Sequence, residues 1–114
     1  MPSCTFVTEV EGGRTVIRVL GVFDRTSAQS LRDRIGQERG QDVVLDFSLV
    51  REFDDLGIAT LAGSVPALAG SGRLAFRGLR QHQLRLFRYF GVDAEAADGA
   101  AHALAGSGAT ATRG

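Results

Sequence analysis

The sequence predicts an α/β sandwich in which a small mixed β-sheet is covered by about four helices. Two β-branched segments near the start are separated by the turn sequence EGG, which is typical of a hairpin. Beyond the hairpin, apolar strands alternate with helix-like segments, and this order requires parallel pairing through right-handed crossovers. The N-terminal strand is therefore expected to be antiparallel, and the remainder of the sheet largely parallel.

The hairpin and the helix that follows it are predicted from spacing. Strands are expected at residues 5–9 and 15–21, on either side of the EGG turn. The next segment, DRTSAQSLRDRIGQE, has apolar residues three and four positions apart, which predicts a short amphipathic helix. Thr26 or Ser27 can supply the oxygen that caps its N-terminus. The apolar face consists of Ala28, Leu31 and Ile35.

Two further strands are expected, one of them central. Residues 42–48, DVVLDFS, form an apolar run interrupted by Asp46, as in a strand that is covered on both faces. Residues 73–78, RLAFRG, form the next strand. The first of these two is expected in the middle of the sheet.

An apolar helix is predicted between these two strands. From Leu56 onward, the pattern is that of a helix packed through small residues, with Asp54 or Asp55 as its cap. Pro66 lies within this pattern and removes a backbone donor. The helix is therefore expected to kink or to end near Val65.

The third helix is predicted in QHQLRLFRYFGVD, where Gly91 provides the stop. Its spacing favours Phe87 and Phe90 as core residues together with Leu84. If Phe87, Tyr89 and Phe90 were exposed, they would instead indicate a homodimer face.

The C-terminal segment begins with helical spacing and then loses it. The spacing of Ala97, Ala101 and Leu104 predicts a fourth helix. Residues 106–114 are rich in small residues without an apolar face and are expected to be disordered. Residues 1–105 are therefore predicted to form a single domain.

Composition excludes several classes of function. The thirteen basic residues are all arginine and are balanced by thirteen acids, so no basic surface indicates nucleic acid. No apolar run is long enough to insert into a membrane. Cys4 is the single cysteine and the start lacks a signal-like leader, which together predict a cytoplasmic protein. His82 and His102 lack further ligands at metal spacing, so neither a metal nor another cofactor is expected.

Three segments resemble the STAS family, the domain of bacterial anti-sigma factor antagonists that also occurs in sulfate transporters. LDFS is similar to the family's strand end, and FDDLGIATL stands where the family has IDSSGLGVL. Upstream, VLGVFDRTSAQSLRDRI places Asp24 at the aspartate of the family's Gly-Glu-Leu-Asp motif. Downstream, RLAFRGLRQHQLRLFRYFGVD is similar to the closing strand and helix. The resemblance covers residues 5–105 and implies a non-catalytic module that binds proteins.

The resemblance places Asp55 where the antagonists carry the serine that a partner anti-sigma factor kinase phosphorylates. Asp55 has no hydroxyl, so a serine kinase cannot modify this position. The carboxylate can cap the helix, since the helix N-terminus favours negative charge. It can also supply part of the charge of a phosphoserine, which is about −1.5 to −2. Both interpretations stay open at the level of sequence.

The partner-binding surface is expected where the loops after the second and third strands meet the start of the second helix. Gly57 would permit a close approach there, and the charges would set partner choice. The expected residues are Asp24, Arg25, Thr26, Arg51, Asp54, Asp55, Leu56 and Gly57. The adjacent carboxylates could also suggest Mg²⁺ or acid–base chemistry, but no His or Lys is placed by the sequence to complete such a site. An enzyme is therefore not expected.

Three functions remain as hypotheses. The first is regulation of a sigma factor by binding an anti-sigma factor serine kinase. The second, by similarity to STAS proteins that accompany lipid-transporting ABC transporters, is a cytosolic subunit that binds a transporter ATPase without a phosphoryl switch. The third is a nucleotide-binding domain, which predicts that ATP or GTP would stabilise the fold in a thermal melt.

Overall fold

A computed structural model describes residues 3–38, 41–68, 73–94 and 102–103 of the 114-residue chain. The helices and strands are β1 (Cys4–Glu11), β2 (Arg14–Phe23), α1 (Arg25–Gly36), β3 (Val43–Phe53), α2 (Asp55–Leu68), β4 (Leu74–Arg77), α3 (Gln81–Tyr89), β5 (Val92–Asp93) and β6 (His102–Ala103). Among these residues, no helix is long and apolar enough to cross a membrane.

The main sheet has the predicted mixed topology. Its strand order is β1-β2-β3-β4, with β1 antiparallel to β2 and the other two pairs parallel. The hairpin turn places both Gly12 and Gly13 at positive φ, 57° and 81°. Two-residue turns with this backbone match the twist of the flanking strands, which explains the EGG signal. The predicted hairpin and the central position of β3 are confirmed.

The core lies between one face of the sheet and the three helices. Alternate residues of β2, β3 and β4 point to this face, including Ile17, Leu45 and Phe76. Phe47 is at the centre of the core, with its ring centroid 5.2 Å from that of Phe23 and 6.4 Å from that of Phe76. The helices contribute Ala28, Leu31, Ile35, Ile58, Leu61, Ala62, Val65 and Phe87. The predicted apolar face of α1 is therefore confirmed.

The opposite face of the sheet combines a small apolar cluster with ion pairs. Arg18 on β2 pairs with Glu9 on β1 and with the buried Asp46 on β3. Arg77 on β4 extends the set through Glu11, at 3.2 Å. These side chains connect all four strands of the main sheet, so they favour its register. The apolar cluster consists of Val16, Val44 and Ala75.

Two predicted boundaries differ from the structure by more than two residues. β3 continues to Phe53, beyond the predicted end at residue 48, because its extension still pairs with β2 through Val50 and Glu52. The predicted end of α2 near Val65 is wrong, since the helix continues through Pro66 to Leu68. Pro66 lies in the last turn of α2. The absence of its backbone N–H therefore removes a hydrogen bond only at the end of the helix.

Two predictions about helix α1 and the C-terminal segment are corrected. Neither Thr26 nor Ser27 is the N-cap of α1, because Asp24 has extended backbone and accepts the Ser27 N–H at 2.9 Å. The described residues contain three helices rather than about four. Within the predicted fourth helix, residues 102–103 pair as a strand with β5, and the remaining residues of that prediction lie outside the described ones. The predicted disordered tail, residues 106–114, also lies outside them.

The aromatic residues of α3 divide between the core and the surface. Phe87 is fully buried, as predicted. Phe90 is 43% exposed, so its assignment to the core is wrong. It follows the end of the helix and packs edge-on against Tyr89, with the ring centroids 5.3 Å apart. The homodimer that was linked to exposed aromatic residues stays a prediction.

Candidate functional site

The ends of β2 and β3 place two helix N-termini side by side. The backbone N–H of Asp54 donates to the carbonyl of Phe23 at 2.8 Å, which joins the two strand ends. α1 begins two residues after Phe23, and α2 begins at the residue after Asp54. The segments that follow β2 and β3 therefore lie together at one edge of the sheet. Asp24 is on the first segment, and Asp54 and Asp55 are on the second.

Gly57 allows the two segments to touch. It is buried in the first turn of α2, and a Cβ atom there would lie 2.6 Å from the carbonyl carbon of Asp24. The Cα of Asp24 would be 2.9 Å away, closer than real Cβ contacts allow. The close approach that Gly57 permits is therefore made by this chain's own backbone.

Asp24 is occupied within its own loop. Its Oδ1 accepts hydrogen bonds from the backbone N–H of Ser27 at 2.9 Å and from the Ser27 hydroxyl at 2.8 Å. These hydrogen bonds from Ser27 hold the pKa of the Asp24 carboxyl below its ordinary value. Asp24 therefore stays negatively charged and fixes the start of α1.

The two adjacent aspartates have different partners. Asp54 Oδ1 accepts the backbone N–H of Leu56 at 3.0 Å, and its carbonyl accepts from Gly57 and Ile58, so Asp54 caps α2. Asp55 Oδ1 instead lies 2.9 Å from Nε2 of His82 on α3. These two adjacent residues therefore point in different directions.

His82 is a site residue that the sequence did not assign. It lies 27 positions from Asp55 and is 58% exposed. No short-range pattern indicates this contact, because it depends on how α3 packs on α2. The sequence found no histidine near the paired carboxylates, whereas the structure provides one.

Most side chains on the outer surface of the site are polar. One apolar residue, Leu56, is 60% exposed at the start of α2. Exposed polar residues of the predicted set are Arg25, Thr26, Arg51, Asp54 and Asp55. A surface cleft of about 320 Å³ lies beside the contact between the two segments. It is lined by Val22, Asp24, Glu52, Phe53 and Asp54.

No metal centre is formed in the described ranges, where three or more His, Cys, Asp or Glu side chains do not gather at one point. The Asp55–His82 pair is open to solvent, with side-chain exposures of 62% and 58%. Both side chains are therefore accessible to another molecule.

The fold and this edge define a small α/β domain with two helix N-termini beside each other. Residues 6–104 match the protein-family model described as Mlab, STAS domain. This match spans most of the chain, and the protein belongs to the STAS-domain family. No curated protein sequence matches the chain.

Solved structures support the same fold. An anti-sigma factor antagonist from Mycobacterium paratuberculosis is 22% identical over 76% of this chain and 80% of its own, with a TM-score of 0.61. SpoIIAA, an anti-sigma factor antagonist in its unphosphorylated form, is 22% identical over 75% and 83%, with a TM-score of 0.58. A structure of Mglu is 27% identical over 66% of this chain but only 20% of its own, with a TM-score of 0.57. At such identities, the two antagonists show a shared fold.

Proposed function

We propose that this STAS protein is a non-catalytic, cytoplasmic interaction module that regulates a sigma factor by binding an anti-sigma factor kinase. The observation that carries the proposal is that the two adjacent aspartates make different contacts. Asp54 caps α2, so the carboxylate of Asp55 is not required by the helix and is 62% exposed. A negative charge therefore stands at the position where the family resemblance places a phosphorylatable serine.

The surface around Asp55 has the composition of a docking site. Interfaces commonly combine an apolar centre with a polar rim. Leu56 supplies exposed apolar area at the start of α2, and Arg51 and Asp54 supply charges in the segment that precedes it. Charges of both signs would set the choice of partner and the rate of association more than the affinity.

The role that we assign to Asp55 is that of a permanent, incomplete substitute for phosphoserine. It carries one negative charge, whereas phosphoserine carries about −1.5 to −2 and has more acceptor oxygens. Since Asp55 has no hydroxyl, binding would not be switched by a serine kinase. The module would be held in one regulatory state.

The test compares wild-type protein with Asp55→Ser and Asp54→Ser in pull-downs from native lysate, with phosphorylation of the bait read by mass spectrometry. Asp54→Ser is a matched control because it makes the same substitution at the residue next to Asp55. Serine can also cap a helix, so the start of α2 is kept. We expect all three proteins to capture a kinase, and Asp55→Ser alone to be phosphorylated, at residue 55. Equal capture by all three proteins without phosphorylation would contradict the proposed switch position.

The absence of a hydroxyl at Asp55 also favours a second candidate function, one that does not depend on phosphorylation by a kinase. In this alternative, the protein is a cytosolic STAS subunit of a lipid-transporting ABC complex and docks on the transporter ATPase. The same pull-down separates the candidates: an ATPase recovered with membrane proteins by wild type and Asp55→Ser alike would support the subunit.

A further inference from the structure

The outer edge of β1 lacks the features that usually keep a strand edge from pairing with another chain. In the described ranges, β2 is the one strand that pairs with β1. Natural edge strands are commonly protected by shortness, a bulge, lysine or proline. β1 instead has eight residues in continuous register with β2 and contains neither lysine nor proline. The opposite edge strand, β4, has four residues and ends in Arg77.

Alternate residues of β1 turn their backbone hydrogen-bonding groups to this edge. The Val22 N–H donates to the Ser3 carbonyl at 3.0 Å, so these two residues form a hydrogen-bonded pair of the antiparallel ladder. Such pairs recur at every second position, and the register continues along the whole of β1. The intervening residues therefore direct their N–H and C=O groups away from β2. These residues are Cys4, Phe6, Thr8 and Val10.

The side chains of β1 combine exposed apolar area with acids whose charge is compensated. Val7 is 40% exposed and Val10 is 76% exposed. The acidic residues of the strand are Glu9 and Glu11, and Arg18 on β2 pairs with both. A second strand can therefore approach this edge without meeting uncompensated charge.

We propose that β1 pairs with β1 of a second copy of this protein, antiparallel and about a two-fold axis at Val7, so that two sheets become one. The outward backbone groups of one copy then bond to those of the other. The axis is perpendicular to the sheet, so the helices of both copies cover the same face. Val7 lies opposite its counterpart, and the two exposed valines shield each other from water. This homodimer uses a different surface from the exposed aromatic residues of α3.

Charge favours this register over the neighbouring ones. With the axis at Val7, Thr5 lies opposite Glu9 of the second copy, and no two like charges face each other. An axis at Glu9 would place two carboxylates directly opposite, which is destabilising. An axis at Thr8 would bring two Arg34 side chains together, because Arg34 donates to the Thr8 hydroxyl at 2.7 Å. Axes further towards either end of β1 pair fewer residues.

The first measurement is sedimentation equilibrium of the full-length protein from micromolar to millimolar concentrations. We expect the wild-type mass to rise from that of one chain towards that of two. Val7→Glu places two carboxylates face to face at the axis and should weaken dimerisation severalfold, whereas the β-branched Val7→Thr should still dimerise. Within one chain, residue 7 lies opposite Arg18, so a glutamate there is compatible with the fold, which circular dichroism can verify. A wild-type protein that stays monomeric, or equal dimerisation of the two variants, would overturn the proposal.

The second measurement tests the register by disulfide trapping with oxidised glutathione, in a Cys4→Ser background. Val7 and its counterpart would form a non-hydrogen-bonded pair with Cα atoms about 4.5 Å apart, a distance that a disulfide can span. Val7→Cys should therefore give a covalent dimer. Thr5→Cys on the same face is the matched control, because its counterpart lies four residues along the strand, about 13 Å away.

The trapping result has a clear outcome in either direction. A covalent dimer of Val7→Cys in large excess over that of Thr5→Cys would support the proposed axis. Equal cross-linking of the two variants, or cross-linking of neither, would overturn it. Both measurements use the purified protein without a partner, so their outcome is independent of the pull-down.

Discussion

The substitution Gly57→Ala tests whether the close contact between the start of α2 and the backbone of Asp24 depends on the absence of a side chain at residue 57. In wild type, the backbone of Asp24 occupies the space that a Cβ would need, with three of its atoms within 2.9 Å. These atoms belong to the backbone and cannot rotate away. Added volume in a packed region costs about 1–3 kcal/mol.

Gly63→Ala in the same helix is the matched control. A Cβ at Gly63 would meet nothing within 4 Å, so this variant gains only the helix propensity of alanine, about 1 kcal/mol. The same substitution is made at both sites, so effects on the unfolded chain largely cancel between the variants. We therefore expect Gly57→Ala to be less stable than Gly63→Ala by about 1–3 kcal/mol.

The assay is urea unfolding followed by far-UV circular dichroism, with the slope against urea checked for constancy. Gly57→Ala should unfold at lower urea than wild type, and Gly63→Ala at higher urea. If the two alanine variants were equally stable, the close contact between α2 and Asp24 would be refuted. The placement of the two helix N-termini would then lack its physical basis.

Three further predictions concern the core, the buried carboxylate and the cysteine. Phe47→Ala should lower the free energy of unfolding by about 3–5 kcal/mol in the same urea assay, because it empties the centre of an aromatic cluster. Burial raises the pKa of Asp46, but hydrogen bonds from Ser48 and the ion pair with Arg18 outweigh it, so the net pKa is lowered. A lowered pKa adds stability above the unfolded-state value that is lost as pH falls through the folded-state value. The difference in stability between wild type and Asp46→Asn should therefore shrink below about pH 4, and a constant difference down to acid would contradict the ionised pair. Burial also raises the pKa of Cys4, so iodoacetamide should modify the native thiol more slowly than the urea-unfolded one at the same pH, and equal rates would show that the thiol is accessible and ordinary.

The parts of the fold that the sequence predicted are those set by local patterns. The EGG turn specifies the hairpin because glycine alone adopts positive φ without strain at both positions. The alternation of strands and helices then specifies parallel pairing. Asp54 and Asp55 were found as candidate caps of α2 because capping is a local interaction, and the structure assigns the cap to Asp54.

The features that were missed depend on contacts distant in sequence or on the exact exit of the chain from a strand. DRTS contains three residue types that can cap a helix, and the choice of Asp24 follows from where β2 ends. The extension of β3 depends on pairing with β2, and the amino-acid composition of residues 49–53 does not predict that pairing. The Asp55–His82 contact and the approach of Asp24 to Gly57 both require the packed tertiary structure.

The second carboxylate at the start of α2 has a function that the first cannot fulfil. Asp54 is directed to its own helix, where its oxygen satisfies an N–H that would otherwise lack a partner. Asp55 belongs to the first turn, where the helix N-terminus favours its charge, but its Oδ1 is directed to His82. A single aspartate could cap the helix or face α3, but not both. The pair of adjacent residues therefore separates folding of the helix from the charge that we propose the partner recognises, and either one can be changed without removing the other.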